Sequence, residues 1–262
     1  MTLRRFAILP SFFLMVLSAR GQTAAPVASP PIKDSQAIAL LQKSIKTMAQ
    51  TGPLDSTASG DIQIVAGSQT SQGTIRILTK GENESFVEFT TDIETRGLIY
   101  SSGQANERLA GKTKILPMEL VVTSQAAEFP IPLLSALLND PNTSFQYVGA
   151  EISNGLSLEH VRTWNSFASS PTHSVLSSFS TRDIWIDTSS GLVQKISFAK
   201  RAAQGASPSI PVTLVFSDYR VVSGVAYPHS IKKSVNGTPW ATITIQSVTF
   251  NNGLNDSQFT VQ

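Results

Sequence analysis

The side chains best suited to metal binding or acid–base catalysis in this sequence are its three histidines, His160, His173 and His229. None of them stands at metal-ligand spacing from another histidine, aspartate or glutamate. The sequence also lacks the nucleophile elbow Gly-x-Ser-x-Gly, the phosphate-binding P-loop and the dinucleotide fingerprint Gly-x-Gly-x-x-Gly. We therefore predict no catalytic residue, no metal and no cofactor, and interpret the histidines as surface or turn residues.

Two aspartates on either side of a tryptophan suggest a sugar site, since paired carboxylates hydrolyse glycosides. Asp183 and Asp187 flank Trp185 in the segment Arg182-Asp-Ile-Trp-Ile-Asp187. Residues four apart on a strand are about 13 Å apart along the backbone, whereas the carboxyl groups of glycosidases work at about 5–9.5 Å. We therefore expect the two aspartates on a solvated face or at a hairpin mouth, and not as an acid–base pair.

The features that suggest ligand binding are apolar. The segment 129–141 carries a proline near each end, and its interior is apolar nearly all round. A helix of that character must be covered on more than one side. We predict that it lies over a cavity, and that five side chains bind a ligand there: Leu133, Leu134, Leu137, Leu138 and, on the opposing wall, Trp185. The alternative, that these side chains fill an ordinary core, stays open.

The elements around this central helix predict a mainly β protein. An N-terminal helix runs from about Asp34 to Gln50, with apolar residues at steps of three and four. After it, short alternating segments separated by polar turns indicate an antiparallel meander of about ten or eleven strands. The segment 165–180, rich in serine, threonine and proline, is predicted as a loop.

The final hairpin carries two local signals. Asn236-Gly237 between apolar segments is typical of a type I′ turn, in which both central residues need positive φ. Along strand 242–250 the apolar phase shifts by one position after Ile245. One inserted residue produces such a shift, so we predict a β-bulge near Gln246-Ser247.

The N-terminus has the layout of a signal peptide over residues 1–21. Arg4 and Arg5 precede a twelve-residue apolar run, and Ala19-Arg20-Gly21 provides small residues at a cleavage site. The run is shorter than the ~20 residues of a membrane span, although a retained anchor is the alternative. Residues 22–33 are predicted to be a flexible linker, and residues 34–262 a single barrel domain.

Composition narrows the compartment and the partners. The sequence contains no cysteine, which excludes disulfides, thiolate chemistry and a lipoprotein-type cleavage site within it. Without residues 1–21 the chain keeps 17 basic residues against 18 acidic ones, a formal net charge of −1. A near-neutral chain without a long basic run is a poor nucleic-acid binder. We expect a periplasmic or secreted monomer, soluble after cleavage of the signal peptide.

Two stretches of sequence carry a family resemblance. The end of the chain has a strand ending in tyrosine, a "V-x-G-x-x-x-P" connection and a final "N-x-G-x-x-D-x-x-F", formed by Tyr219, Val222, Gly224, Pro228, Asn251, Gly253, Asp256 and Phe259. The segment 183–196 follows the hairpin pattern "W-I-D-x-x-T-G-L-P", with Ser190 in place of threonine and Val193 in place of proline. Both stretches resemble the LolA-like superfamily of outer-membrane lipoprotein carriers.

This resemblance implies a fold and a class of function. The fold would be a curved, incomplete antiparallel β-barrel with helices over its open side. The protein would be a non-enzymatic carrier whose partner is a lipid, a lipoprotein or another hydrophobic ligand held in the barrel. The alternative implied by the same fold is an envelope sensor, similar to RseB-like proteins, that binds a protein partner.

Overall fold

The computed structural model describes residues 29–200 and 209–261. In these residues it has helices α1 (Ser35–Met48), α2 (Met118–Val121) and α3 (Pro130–Asn139), and 3-10 segments at Pro171–Ser180 and Asp256–Phe259. The strands are β1 (Asp55–Ala66), β2 (Gln69–Lys80), β3 (Glu84–Thr91), β4 (Thr95–Ser101), β5 (Gln104–Leu109), β6 (Lys112–Ile115), β7 (Thr143–Ser153), β8 (Leu156–Asn165), β9 (Arg182–Asp187), β10 (Val193–Lys200), β11 (Ile210–Val222), β12 (Val225–Val235) and β13 (Thr238–Phe250). The predicted signal peptide and linker residues 22–28 lie outside the described residues.

Helix α1 begins where the sequence predicts because Asp34 caps it. Its Oδ1 accepts hydrogen bonds from the backbone N–H groups of Gln36 and Ala37, at 2.9 and 3.2 Å. Its Oδ2 accepts from the backbone N–H of Tyr147 in β7, at 2.9 Å. The bond from Tyr147 and the two cap bonds lower the pKa of Asp34. One carboxylate therefore both starts the helix and fixes it to the sheet.

The end of the predicted linker is paired with the sheet. Ile32 accepts a backbone hydrogen bond from Phe145 at 2.8 Å and donates one to Ser144 Oγ at 3.1 Å. Lys33 forms a parallel bridge with Phe145 and donates from Nζ to the carbonyl of Thr143 at 2.7 Å. Ordered pairing with β7 thus starts at Ile32, slightly before the predicted domain boundary at residue 34.

All described strands form one antiparallel sheet in the order β6-β5-β4-β3-β2-β1-β13-β12-β11-β10-β9-β8-β7. The chain runs outward from β1 to the edge strand β6, crosses to the opposite edge at β7, and returns strand by strand to β13 beside β1. The sheet is not closed, since β6 and β7 do not pair with each other. The predicted fold class, a curved incomplete barrel with an N-terminal helix and a short central helix, is confirmed.

The sheet has thirteen strands where the sequence predicted ten or eleven. The two additional strands are β5 and β6, whose sequences Gln-Ala-Asn-Glu-Arg-Leu and Lys-Thr-Lys-Ile lack apolar alternation. They form by continuing the ladder from β4, in which Leu98 pairs with Glu107. Backbone pairing with a neighbour therefore defines these two strands; β5 buries only Ala105 and Asn106, and β6 buries none of its side chains.

Both local signals in the final hairpin are confirmed. Asn236 and Gly237 have φ values of 51° and 74°, as the type I′ turn requires. In the β1–β13 ladder Ser59 pairs with Ser247 and Gly60 with Ile245, which leaves Gln246 as the extra residue of a bulge. A Cβ at Gly60 would lie 2.0 Å from the carbonyl oxygen of Thr244. The close approach of the two strands at the bulge therefore requires glycine.

The main core lies on the inner face of the sheet, which we define as the face against which α1 and α3 pack. It joins α1 and α3 to alternate residues of most strands, including Ile77, Ile184 and Ile231. The outer face has a smaller cluster formed by Leu78, Phe86, Ile99 and Phe259. In the part of the chain that the structure describes, no helix is both long enough and apolar enough to cross a membrane.

Candidate ligand-binding cavity

A cavity of about 470 Å³ lies on the inner face beneath residues 116–128, which we call the crossover segment. This volume is within the ~300–1,000 Å³ of small-ligand sites. The sheet contributes a mostly apolar wall that includes Ile62, Ile75, Val87, Phe89, Phe198, Val212, Trp240 and Ile243. The crossover segment contributes Leu116, Leu120 and residues 123–128.

The crossover segment is held to the sheet and to the β2–β3 turn by hydrogen bonds of its backbone and of the Gln125 side chain. Arg182 donates from Nη2 to the carbonyl of Val122 at 2.7 Å, and Gln125 donates to the carbonyl of Glu82 at 2.6 Å. The N–H of Ala126 donates to Ser85 Oγ at 3.1 Å. Burial lowers the pKa of the Arg182 guanidinium to about 10. The segment is thus fixed at several points, although most of it has no regular secondary structure.

Small side chains on the crossover segment leave the space of the cavity open. Thr123, Ser124, Ala126 and Ala127 are all buried, yet they border open space. A larger side chain at these positions would project into the cavity. The cavity therefore exists because the crossover segment shields this part of the sheet from solvent, but its side chains are too small to fill the space between them.

A second β-bulge directs Trp240 into the cavity. Lys233 pairs with Ala241 and Ser234 pairs with Pro239, so Trp240 is the extra residue of β13. A bulge re-aims a side chain relative to strict strand alternation, and Trp240 contacts Phe89 edge-on at a centroid distance of 6.2 Å. The Nζ of Lys233 lies 5.3 Å from the Trp240 ring centroid. Trp240 thus contacts an apolar residue of the wall, Phe89, and the ammonium group of Lys233.

Five charged side chains border the cavity: Arg96, Glu107, Glu128, Lys200 and Lys233. Glu107 accepts a hydrogen bond from Arg96 Nε at 2.8 Å. Glu128 accepts one from Lys233 Nζ at 3.3 Å. Burial acts to raise the pKa of Glu128, but the positive charge of Lys233 and hydrogen bonding outweigh it, and the pKa is lowered. The Glu128 carboxylate is therefore charged at neutral pH, and each of the two carboxylates has a cationic partner.

Lys200 differs from the other charged side chains of the cavity. Among the described residues it has no carboxylate within 4.0 Å and makes no hydrogen bond through its side chain. Burial, followed by the nearby positive charge of Lys233, lowers its pKa to about 8. Within the part of the chain that the structure describes, the cavity lining consequently has three positive and two negative side chains, an excess of one positive charge.

The predicted lid leucines lie elsewhere. Leu133 and Leu134 are fully buried and Leu137 is nearly so, and all three belong to the main core under α1. Leu138 is half-buried against the same core. None of the four borders the 470 Å³ cavity. The crossover segment, and not α3, covers this cavity, so any ligand contact by these leucines stays a prediction.

Trp185 lies on the outer face of the sheet. Ile184 and Ile186 point into the main core, and strand alternation sends Trp185 to the opposite side. There its ring stacks on His160 at 4.3 Å, and the Nζ of Lys195 lies 3.6 Å from its centroid. It therefore does not form the opposing wall of the cavity, and its role in ligand binding stays a prediction.

The titratable groups that the sequence pointed to are dispersed. His160 Nε2 lies 2.7 Å from Asp183 Oδ1, the buried His229 places Nδ1 at 2.8 Å from the carbonyl of Ile245, and His173 is exposed. Asp187 accepts hydrogen bonds from Ser189 and Ser190 at the mouth of the β9–β10 hairpin, and these lower its pKa. Within residues 29–200 and 209–261, no three metal-ligating side chains cluster.

Sequence reasoning missed Lys200, Trp240 and the crossover segment. A signal for Trp240 was available, because Pro239 inside an apparent strand indicates a bulge or an edge. The crossover segment has no periodicity, and its importance comes from the topology. A connection from edge strand β6 to edge strand β7 has to traverse the sheet.

Comparison with known proteins supports the fold. No protein-family model and no curated protein matches this chain. A solved domain named as an outer membrane lipoprotein-sorting protein, from Vibrio parahaemolyticus, is similar with a TM-score of 0.58 at 14% identity over 86% of this chain and 96% of that one. A LolA superfamily protein from Nitrosomonas europaea gives 0.57 at 11% identity, over 86% and 97%. A DUF1329 family protein from Desulfovibrio piger gives 0.57 at 11%, over 88% and 98%.

These similarities show that the chain has the fold found in the LolA superfamily. At such low identity they establish the architecture alone. The resemblance seen in the closing strands and in the β9–β10 hairpin is therefore confirmed at the level of the fold.

Proposed function

We propose that this protein is a non-enzymatic binding or carrier protein that holds a lipid, an acylated molecule or another hydrophobic ligand in its cavity. The observation that supports the proposal is the cavity of about 470 Å³ between the apolar wall of the sheet and the crossover segment. Burying an acyl chain is favourable by about 0.8 kcal/mol per CH₂. Because small side chains cover the cavity, an acyl chain has space to be buried in it.

The predicted signal peptide adds a compartment to the proposal. Export with cleavage near Gly21 would place the protein in the periplasm or outside the cell. The names of two proteins of similar fold refer to the LolA superfamily and to outer membrane lipoprotein sorting, which agrees with a role in the envelope. N-terminal sequencing of the mature protein tests this part, and a sequence starting at Met1 contradicts it.

The position of the tryptophans allows a direct test of binding. Of the three tryptophans, Trp240 borders the cavity, whereas Trp164 and Trp185 do not. A variant carrying Trp164→Phe and Trp185→Phe leaves Trp240 as the only reporter. A brominated fatty acid, which quenches tryptophan on contact, should quench this variant at low concentration.

The control is the converse variant, Trp240→Phe, which keeps the two tryptophans outside the cavity. Its fluorescence should change little with the same brominated fatty acid. Equal quenching of both variants, or of neither, would contradict binding in this cavity. Native mass spectrometry of the protein purified from its host would show whether a lipid is retained.

The sensor alternative is favoured by one observation, the exposed edge strand β7. Residues 32–34 cover the first part of its edge, at Phe145 and Tyr147. Further along, Val148 and Ile152 are 45% and 83% exposed, and the uncovered part of an edge is a template for an added strand. In the same mass spectrometry experiment, a co-purifying protein and no lipid would support this alternative instead of the carrier.

A further inference from the structure

The charges that border the cavity do not balance. The carboxylate of Glu107 is paired with Arg96 and that of Glu128 with Lys233. Lys200 remains half-buried, without a carboxylate partner among the described residues. The charged groups that act on it are Lys233 on β12, Glu128 of the crossover segment, Arg96 on β4 and Glu107 on β5. Since these four form two ion pairs, Lys200 carries the uncompensated charge.

An uncompensated ammonium group beside an apolar wall is unfavourable, because a buried charge needs a partner. The depressed pKa of Lys200, about 8, reflects the same cost. At neutral pH the group still carries its proton for most of the time. A ligand that brings one negative charge would supply the missing partner.

Lys200 lies at the boundary between the charged end of the cavity and its apolar wall. Lys200 pairs with Ile210 in the last residue pair of the β10–β11 hairpin. Two residues further along the strands, Phe198 pairs with Val212, and both side chains border the cavity. A molecule that places a charged group at Lys200 therefore has apolar wall next to it.

We propose that the cavity selects an amphiphile with one acyl chain and one negatively charged head group, and that Lys200 binds this head group. This inference rests on the proposed carrier function and specifies its ligand class. At about 30 Å³ for each water-sized group, a cavity of about 470 Å³ has room for one acyl chain of about fifteen carbons. The head group is a carboxylate or a phosphate, which share the chemistry that an ammonium group recognises.

The test compares palmitate with its uncharged methyl ester, using quenching or shift of Trp240 fluorescence in the Trp164→Phe/Trp185→Phe background. We expect palmitate to bind about tenfold more tightly than the ester, a preference consistent with one charge-assisted hydrogen bond. Lys200→Gln should abolish this preference by weakening palmitate alone. Lys200→Arg, which keeps the charge, should retain it.

The matched control is Lys232→Gln, which removes an exposed lysine on the outer face of β12. It should leave the preference unchanged, and thermal unfolding should show that every variant is folded. Equal affinity for the acid and the ester in the unsubstituted chain, or a preference that survives Lys200→Gln, overturns the inference but leaves the carrier function standing. Binding of neither ligand overturns both.

A further arm uses hexadecyl phosphate to distinguish the two head groups. Tighter binding of hexadecyl phosphate than of palmitate, lost in Lys200→Gln, supports a phosphate head group. The reverse order, with the same loss, supports a carboxylate.

Discussion

Helix α3 and the crossover segment are consecutive parts of one connection between the two edge strands, yet they pack differently against the inner face of the sheet. Leu133 and Leu134 of α3 are fully buried in close contact with α1 and the sheet. Ala126 and Ala127 of the crossover segment are almost as well buried but border a cavity. Burial from solvent and filling of space are therefore separate properties, and the volume of the side chains decides between them.

The substitution with the largest expected effect on this contrast places a charge on the buried side of α3. Leu134→Asp should unfold the domain or destabilise it by on the order of 3–5 kcal/mol, because a carboxylate there has no partner. Leu134→Ala, with a cavity but no charge, should cost about 2–5 kcal/mol. Urea unfolding followed by circular dichroism measures both.

Leu138→Asp is the control, since Leu138 is only half-buried and can turn towards solvent. It should destabilise the protein much less. If Leu134→Asp were fully folded and had lost binding of a fluorescent fatty acid, α3 would be a ligand lid after all, and the contrast between the two parts would fail.

The next effect concerns the buried ion pair between Glu128 of the crossover segment and Lys233 of β12. Glu128→Gln should reduce stability by about 1–3 kcal/mol at pH 7, because it removes a charge-assisted hydrogen bond from Lys233. The pKa of Glu128 is lowered in the folded protein, so its contribution is present at neutral pH and is lost as the pH falls below the ordinary value of 4.5.

The measurement is urea unfolding of both proteins at pH 7 and near pH 3. The difference between them should shrink at the lower pH. In binding assays, Glu128→Gln should also increase the affinity for palmitate, since the excess positive charge of the cavity rises from one to two. A constant difference in stability at both pH values would show that the ion pair does not titrate as described.

Filling the cavity should change binding more than stability. Ala127→Leu adds volume where the crossover segment leaves space, so we expect about tenfold weaker fatty-acid binding and a stability change within about 1 kcal/mol. The control, Ala136→Leu, makes the same change at a half-buried position of α3. Fatty-acid titration should show no effect there, and similar losses in both variants would remove the distinction between the two parts.

The smallest effect is the pH dependence of ligand selectivity. Because the pKa of Lys200 is lowered to about 8, the group is mostly charged at pH 7 and mostly neutral at pH 9. Affinity for palmitate should therefore fall about fivefold over this interval, since only the charged form attracts the anion and the neutral form should bind palmitate no better than the ester. The methyl ester should bind equally at both values. A fall of the same size for the ester would assign the effect to another group.

Much of the architecture could be predicted because it depends on local chemistry. The capping of α1 by Asp34, the turn at Asn236-Gly237 and the bulge at Gln246 each follow from residues close together in sequence. The same applies to Asp187 at the hairpin mouth, where neighbouring serines provide its hydrogen bonds.

The site could not be predicted in the same way, because its parts meet only through topology. Lys200 and Glu128 are far apart in sequence, and nothing local to either residue indicates the other. The apolar helix α3 was the most conspicuous local feature, and it turned out to belong to the filled part of the inner face. Trp185 was conspicuous for the same reason, but strand alternation places it on the outer side.

The pairing of β1 with β13 has a consequence for how the molecule assembles. The two strands meet in the middle of the sheet, where the hydroxyls of Ser59 and Ser247 lie 2.8 Å apart across 188 positions of sequence. Contacts of such high sequence separation slow folding, since a long loop must close before they contribute. Until β13 is available, the meander β1–β6 and the meander β7–β12 each expose an extra edge to other chains. Pairing of β13 with β1 and β12 therefore completes the sheet. The same step covers the two strand edges that are open to aggregation during folding.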